Sequence, residues 1–106
     1  MARSELVDLE QLEAAAPLIR VAAHPIRLRI IDFLSAGEAC VGDIAQAAEA
    51  PQAITSQHLA TLRQAGVLAA TRQGQRVYYR LVRVELIKLL DCIRDHCRLM
   101  EGGPSR

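Results

Sequence analysis

Four residues of this chain have side chains suited to chemistry: Cys40, Cys92, His96 and Cys97. Thiolates bind soft ions such as As(III), Cd(II) or Cu(I) and react with oxidants and reactive sulfur species. Cys92 and His96 stand four apart and share one helical face. Cys92 and Cys97 point about 140° away from each other and do not close a disulfide within one intact helix. Cys40 immediately precedes a short helical stretch, with Asp43 three residues on, where unpaired amides and the helix dipole favour a thiolate. For each cysteine the alternative is a small buried hydrophobe. The odd count of three, without an export signal, fits reduced thiols in the cytoplasm. Ser56 and His58 are two apart on a helix and diverge, so they form no nucleophile–base pair. There is no phosphate loop, zinc-protease spacing or triad. The expectation is a protein that is not an enzyme and requires no cofactor, with thiols open to a thiophilic metal ion or a reactive sulfur or oxygen species.

A second kind of chemistry is electrostatic. The net charge of +1 conceals a division. Residues 1–49 carry four basic and eight acidic side chains, whereas residues 50–84 carry Arg63, Arg72, Arg76, Arg80 and Arg83 and no acid. One contiguous third of the chain is thus a footprint for a polyanion, or else a solvated basic face. Its first part carries small and polar residues, Gln52, Thr55, Ser56, Gln57 and His58.

The elements that must position these residues follow from hydrophobic period and punctuation. Leu6, Leu9, Leu12, Ala16 and Ile19 indicate a first helix over about 6–22, kinked or divided at Pro17. His24-Pro25 opens a second helix, with Ile26, Ile30, Phe33 and Leu34 on its core face, and Ser35-Ala36-Gly37 ends it. A short third helix covers about Val41 to Ala48. Pro51 opens a fourth, Gln52 to about Ala65, with Leu59 and Leu62 buried and Gly66 as its stop. Two strands, Val67 to Gln73 and Arg76 to Leu81, flank a Gly74-Gln75 turn. A last helix spans about Arg83 to Glu101, with Leu86, Leu89, Leu90, Ile93 and Cys97 on its apolar side. Residues 1–101 form one domain and 102–106 a disordered tail. No apolar run suggests a membrane span, and the acidic start, Met1 to Leu12, is unlike a signal peptide. The order α-α-α-α-β-β-α is a mainly helical winged helix-turn-helix with a small hairpin.

Four segments resemble the ArsR/SmtB family of metal- and stress-responsive repressors. Ala23-His24-Pro25-Ile26-Arg27-Leu28-Arg29-Ile30 is similar to its A-x-P-x-R-L-x-I opening, and Cys40-Val41-Gly42-Asp43-Ile44-Ala45 to its C-V-G-D-L-A segment. Ser56-Gln57-His58-Leu59 through Leu62-Arg63-Gln64-Ala65-Gly66-Val67-Leu68 resembles S-x-H-L-x-x-L-R-x-A-G-L-V, and Gly74 to Leu81 resembles the wing pattern G-x-x-V-Y-Y-x-L. The resemblance covers roughly residues 18–97. It implies a homodimer through the first and last helices that represses transcription by binding double-stranded operator DNA, and that loses affinity when an effector reaches it.

On this reading Gln52, Thr55, Ser56, Gln57 and His58 enter the major groove, where glutamine can pair with adenine and serine or threonine can reach bases or phosphates. Ser56 has the alternative of a local backbone bond, His58 of a buried hydrogen-bonded side chain, and Thr55 of a core position. Arg72 and Arg76 flank the wing turn and meet phosphate or minor groove. Arg63 meets phosphate or pairs with an acidic neighbour. Recognition helices of a dimer would lie about 34–36 Å apart. The family's sensing sites are only partly kept. Gly42 replaces the second cysteine of a C-V-C-D pair. On the last helix His96 matches one histidine, but Arg83, Glu85 and Leu99 stand at the other ligand positions. Asp32 lies where thiol sensors carry a second-helix cysteine opposite a distal one near Cys97. The expected effector is therefore a thiophilic metal(loid), or thiol oxidation or persulfidation, read by Cys40, Cys92, His96 and Cys97. The alternative is a regulator of the same fold without a cysteine-based site.

Overall fold

The computed structural model describes residues 6–101, with the order α1 (Leu9–Ala22), α2 (Pro25–Leu34), β1 (Ala39–Cys40), α3 (Val41–Ala48), α4 (Gln52–Gln64), β2 (Leu68–Gln73), β3 (Arg76–Leu81) and α5 (Leu86–Glu101). Residues 1–5 and the tail 102–106, read as disordered, lie outside the described residues.

Helix boundaries follow local chemistry. Pro17 sits inside α1 without dividing it. The His24 ring caps α2 by accepting from the Ile26 amide at 3.1 Å, and Pro25 takes the first turn, where no amide is needed. At the end of α4, Gly66 adopts φ 81°, and its amide donates to Arg63 O while Val67 N donates to Leu62 O. This is the paired closure that a left-handed residue permits, and Val67 then packs beside Leu62, both fully buried. The same closure ends α3, but there the left-handed residue is Glu49, at φ 57°. A side chain at that φ is strained by about 1 kcal/mol or more. Arg29 of α2 offsets this by donating to Ala47 O at 2.8 Å and to the Glu49 carboxylate at 3.3 Å.

Strands β2 and β3 form the expected antiparallel hairpin, Leu68 opposite Leu81 through Gln73 opposite Arg76. A third strand went unread: β1 pairs with β3, Ala39 opposite Tyr79 and Cys40 opposite Tyr78, giving the order β1-β3-β2. Two residues carry no period, so only the partner strand reveals them. The last helix begins at Leu86 rather than Arg83, because residues 82–85 turn away from β3 first.

The core is aliphatic: Ile30, Ile31 and Leu34 of α2, Ile44 and Ala48 of α3, Leu59 and Leu62 of α4, Val67 and Leu68, and Leu86 and Leu90 of α5. Phe33, expected in that core, is exposed. The α1 stripe behaves likewise: Leu9 is 71% exposed and Ile19 51%, and only Ala22 of that helix is fully buried. On α5, Leu89 and Ile93 are also exposed. The radius of gyration, 16.2 Å, exceeds the roughly 13 Å of a compact chain of about this length, in keeping with helices that lie outside a central body.

Candidate nucleic-acid interface

Helices α3 and α4 are joined by only three residues, Glu49 to Pro51, and both pack on α2. With the left-handed Glu49 held by Arg29, this connection sets the direction of α4. The buried side of α4 is Thr55, Leu59 and Leu62, four and three residues apart. Its opposite face must therefore be outside, and Gln52, Ser56, Gln57 and Arg63 are all exposed.

Two of the five candidates at the start of α4 are turned inward. Thr55 is 0% exposed, the core position that was its alternative. Its hydroxyl has no hydrogen-bond partner, a cost of about 1–3 kcal/mol for a buried polar group. Thr55→Val, nearly the same shape, is therefore expected to raise stability by about 1 kcal/mol and Tm by about 4–8 °C. Thermal unfolding checks this, and a lowered Tm would show that the hydroxyl is satisfied after all. His58 is half-buried and bonded within the protein, which is the second of its two readings. Its Nδ1 accepts from Arg27 Nε at 3.0 Å, and its ring lies 4.6 Å from that of His24. Burial, then the charges of His24 and Arg27, hold its pKa below the ordinary histidine value.

The wing presents the other half of the face. Arg72 and Arg76 are exposed on either side of the turn, and Arg72 Nε donates to Gly74 O at 3.2 Å, which braces the turn. Gly74 makes that turn at φ 65°, where a side chain would be strained. Among the described residues Arg63, Arg72, Arg76 and Arg80 have no acidic partner, whereas Arg83 pairs with Glu85 at 3.5 Å. Ser56 of α4 and Gln75, Arg76 and Val77 of the hairpin line one cleft of about 360 Å³, so helix and wing open on a common side.

Cys40 lines the same cleft. It is half-buried, and its Sγ donates to the Asp43 carboxylate at 3.6 Å. Cys92, His96 and Cys97 are exposed on α5. Among the described residues, no three His, Cys, Asp or Glu side chains gather closely enough to hold a metal ion. The four sensing candidates thus do not meet within one chain. Asp32 of α2 is bonded instead to Arg94 of α5 at 3.3 Å, and Arg94 also reaches Asp91 at 2.9 Å. Sequence spacing missed this pair and the His24–Arg27–His58 cluster, because both join residues far apart in the chain.

A helix-turn-helix pair with a polar outer helix, flanked by an arginine-bearing hairpin, defines a winged helix-turn-helix protein. Residues 24–70 match the bacterial regulatory proteins of the arsR family. The chain is also 39% identical over 92 residues to the transcriptional repressor PagR of Bacillus anthracis, covering 83% of this chain and 92% of that protein. The chain belongs to the arsR family, whose members are regulators rather than enzymes. It is 42% identical over 72 residues to the HTH-type transcriptional repressor SmtB of Mycobacterium tuberculosis, across 68% of this chain and 53% of that protein. The match thus spans about half the length of the mycobacterial relative. The crystal structure of the AntR antimony-specific transcriptional repressor superposes with a TM-score of 0.82 at 25% identity, over 97% of both chains. Among the described residues no helix is long and apolar enough to cross a membrane.

Proposed function

We propose that this protein is a cytoplasmic transcriptional repressor that binds double-stranded operator DNA as a homodimer. A thiophilic metal(loid), or oxidation or persulfidation of its thiols, releases it. The observation that carries this reading is the shared side of α4 and wing, where Ser56 and Arg76 line one cleft within a stretch free of acids. Gln52, Ser56 and Gln57 read base edges or adjacent phosphates, and Arg63, Arg72 and Arg76 neutralise phosphates. Thr55 and His58 support the helix from behind. One domain over residues 1–101 supplies both DNA reading and dimerisation. Exposed Leu9, Leu12 and Ile19 of α1, with Leu89 and Ile93 of α5, supply an apolar surface that a twofold partner would cover.

The effector reading rests on Cys40. A group attached to its sulfur would enter the cleft between the two DNA-reading elements. Cys92, His96 and Cys97, exposed on α5, are open to a site shared with the twofold partner. AntR, the structural relative, is described as specific for antimony, a thiophilic metalloid. The second reading, a regulator of the same fold with no cysteine-based effector, draws on the lack of a three-ligand group among the described residues.

Binding to the DNA upstream of its own gene, titrated with As(III), Sb(III), Cd(II), Cu(I), peroxide and a persulfide donor, separates these readings. At least one reagent is expected to lower affinity by about tenfold, the effect of roughly 1.4 kcal/mol. Cys40→Ser is expected to remove that response, with Cys92→Ser and Cys97→Ser reporting on α5. Indifference of the wild type to every reagent favours the second reading, and an absence of DNA affinity overturns both.

A further inference from the structure

The guanidinium of Arg27 ties three helices together. Its Nε donates to Nδ1 of His58 in α4 at 3.0 Å, and its Nη1 donates to the Val21 carbonyl in the last turn of α1 at 2.9 Å. Carbonyls in a last turn lack partners within their own helix, so Val21 is available for this bond. His58 lies directly after Ser56 and Gln57, two of the exposed polar residues of α4. The His24 ring packs beside it, its own Nδ1 committed to the Ile26 amide. With Nδ1 accepting, each uncharged ring carries its proton on Nε2, an assignment that follows from the hydrogen-bond network.

We propose that Arg27 and His58 form a clamp that holds the recognition helix in its DNA-reading position only while His58 is uncharged, so that operator binding weakens on mild acidification. The clamp rests on the reading of α4 as the recognition helix. Arg27 and His58 are positioning residues here: they act through the placement of Ser56 and Gln57 rather than by touching DNA.

A proton on Nδ1 of His58 turns the acceptor into a donor facing another donor, and sets two cations against each other in a half-buried site. Among the described residues, the charged and titratable groups that bear on His58 are His24 at the cap of α2 and Arg27 within it, and α1 meets Arg27 through the Val21 carbonyl. Burial and both neighbours disfavour the charged ring, which keeps the clamp closed at neutral pH. The sign follows. A histidine whose pKa is depressed in the folded protein contributes stability that is complete above its unfolded value of about 6.5. That stability is lost as pH falls from the unfolded value through the folded one.

The test uses the full chain and a duplex selected from a random pool by the wild type at pH 7.5. At constant ionic strength, wild-type affinity is expected to fall about fivefold between pH 7.5 and pH 5.0, as a histidine that titrates below its ordinary value takes up its proton. In His58→Asn the amide oxygen takes the place of Nδ1 without titrating, and the ratio of the two affinities is expected to shrink to about twofold or less. Ring ¹⁵N spectra of the DNA-free protein give a second readout. His58 is expected as the Nε2–H form at pH 7.5, with a midpoint that rises in Arg27→Gln.

Tighter binding on acidification would make His58 a phosphate contact and overturn the clamp. So would a wild-type pH response in His58→Asn, or a His58 midpoint indifferent to Arg27→Gln. If the wild type selects no duplex at pH 7.5, the repressor reading fails instead, and the ring spectra still decide whether the clamp exists.

Discussion

Arg72→Ala combined with Arg76→Ala is expected to lower affinity for every duplex, cognate or not, on the order of a hundredfold at low salt. The two arginines are exposed, lie at the tip of a hairpin and have no acidic partner among the described residues. Their charge is therefore available to phosphate rather than spent inside the protein. Each phosphate contact adds about 0.9 to the slope of log affinity against log salt. In the proposed dimer, two arginines per protomer should flatten that slope by about 3 to 4 units. Fluorescence anisotropy over a salt series measures both effects, and an unchanged slope would remove the wing from the interface. Gln57→Ala should behave differently. It is expected to cost about 1–3 kcal/mol on the preferred sequence and relax base preference, while leaving the salt slope alone. The contrast separates a charge that positions from an amide that reads.

Leu59→Ala is expected to have the largest effect on stability. Leu59 is fully buried on the inner side of α4, in the same cluster as Ile30, Ile44 and Leu62. Removing three carbons leaves a cavity that the surrounding helices fill only partly, at a cost of about 2–5 kcal/mol. A domain of this size has a total stability of about 5–15 kcal/mol, so the variant approaches the unfolding threshold. Urea denaturation should show a lower midpoint with an unchanged m value. DNA binding should fall in proportion to the unfolded fraction, because no contact to DNA is removed. A loss of less than about 1 kcal/mol would mean that α4 is not anchored through this leucine.

The order of helices and the hairpin were legible because each long element carries its own period and its own stop. Leu59 and Leu62 with Gly66 marked the buried side and the end of α4, and the alternation from Arg76 to Leu81 marked a strand. Strand β1 was not legible, since two residues cannot display a period. The candidate interface was legible as a set of residue types but not as a surface. Thr55 and Ser56 are neighbours of similar chemistry, yet one is buried and the other exposed. The period of Leu59 and Leu62 points back to Thr55, but a hydroxyl suits either side of a helix, and only the packing of α4 on α2 and α3 put it inside. The exposed faces of α1 and α5 mislead in the opposite way. Their leucines and isoleucines look like core, because a stripe that would face a partner has the same spacing as one that faces the protein's own interior.

What the sequence determined by itself is local: where helices start and stop, which third of the chain is free of acid, and which side chains can bind metal, phosphate or base edges. These depend on backbone propensity and side-chain chemistry, which neighbours in the chain largely decide. Only the tertiary structure decided which candidates act together. It placed Cys40 on one cleft with Ser56 and Arg76, brought it into no three-ligand group with the thiols of α5 among the described residues, and turned His58 toward Arg27. These placements bring together residues 16 to 36 positions apart, and their geometry follows from packing one aliphatic core rather than from any spacing along the chain.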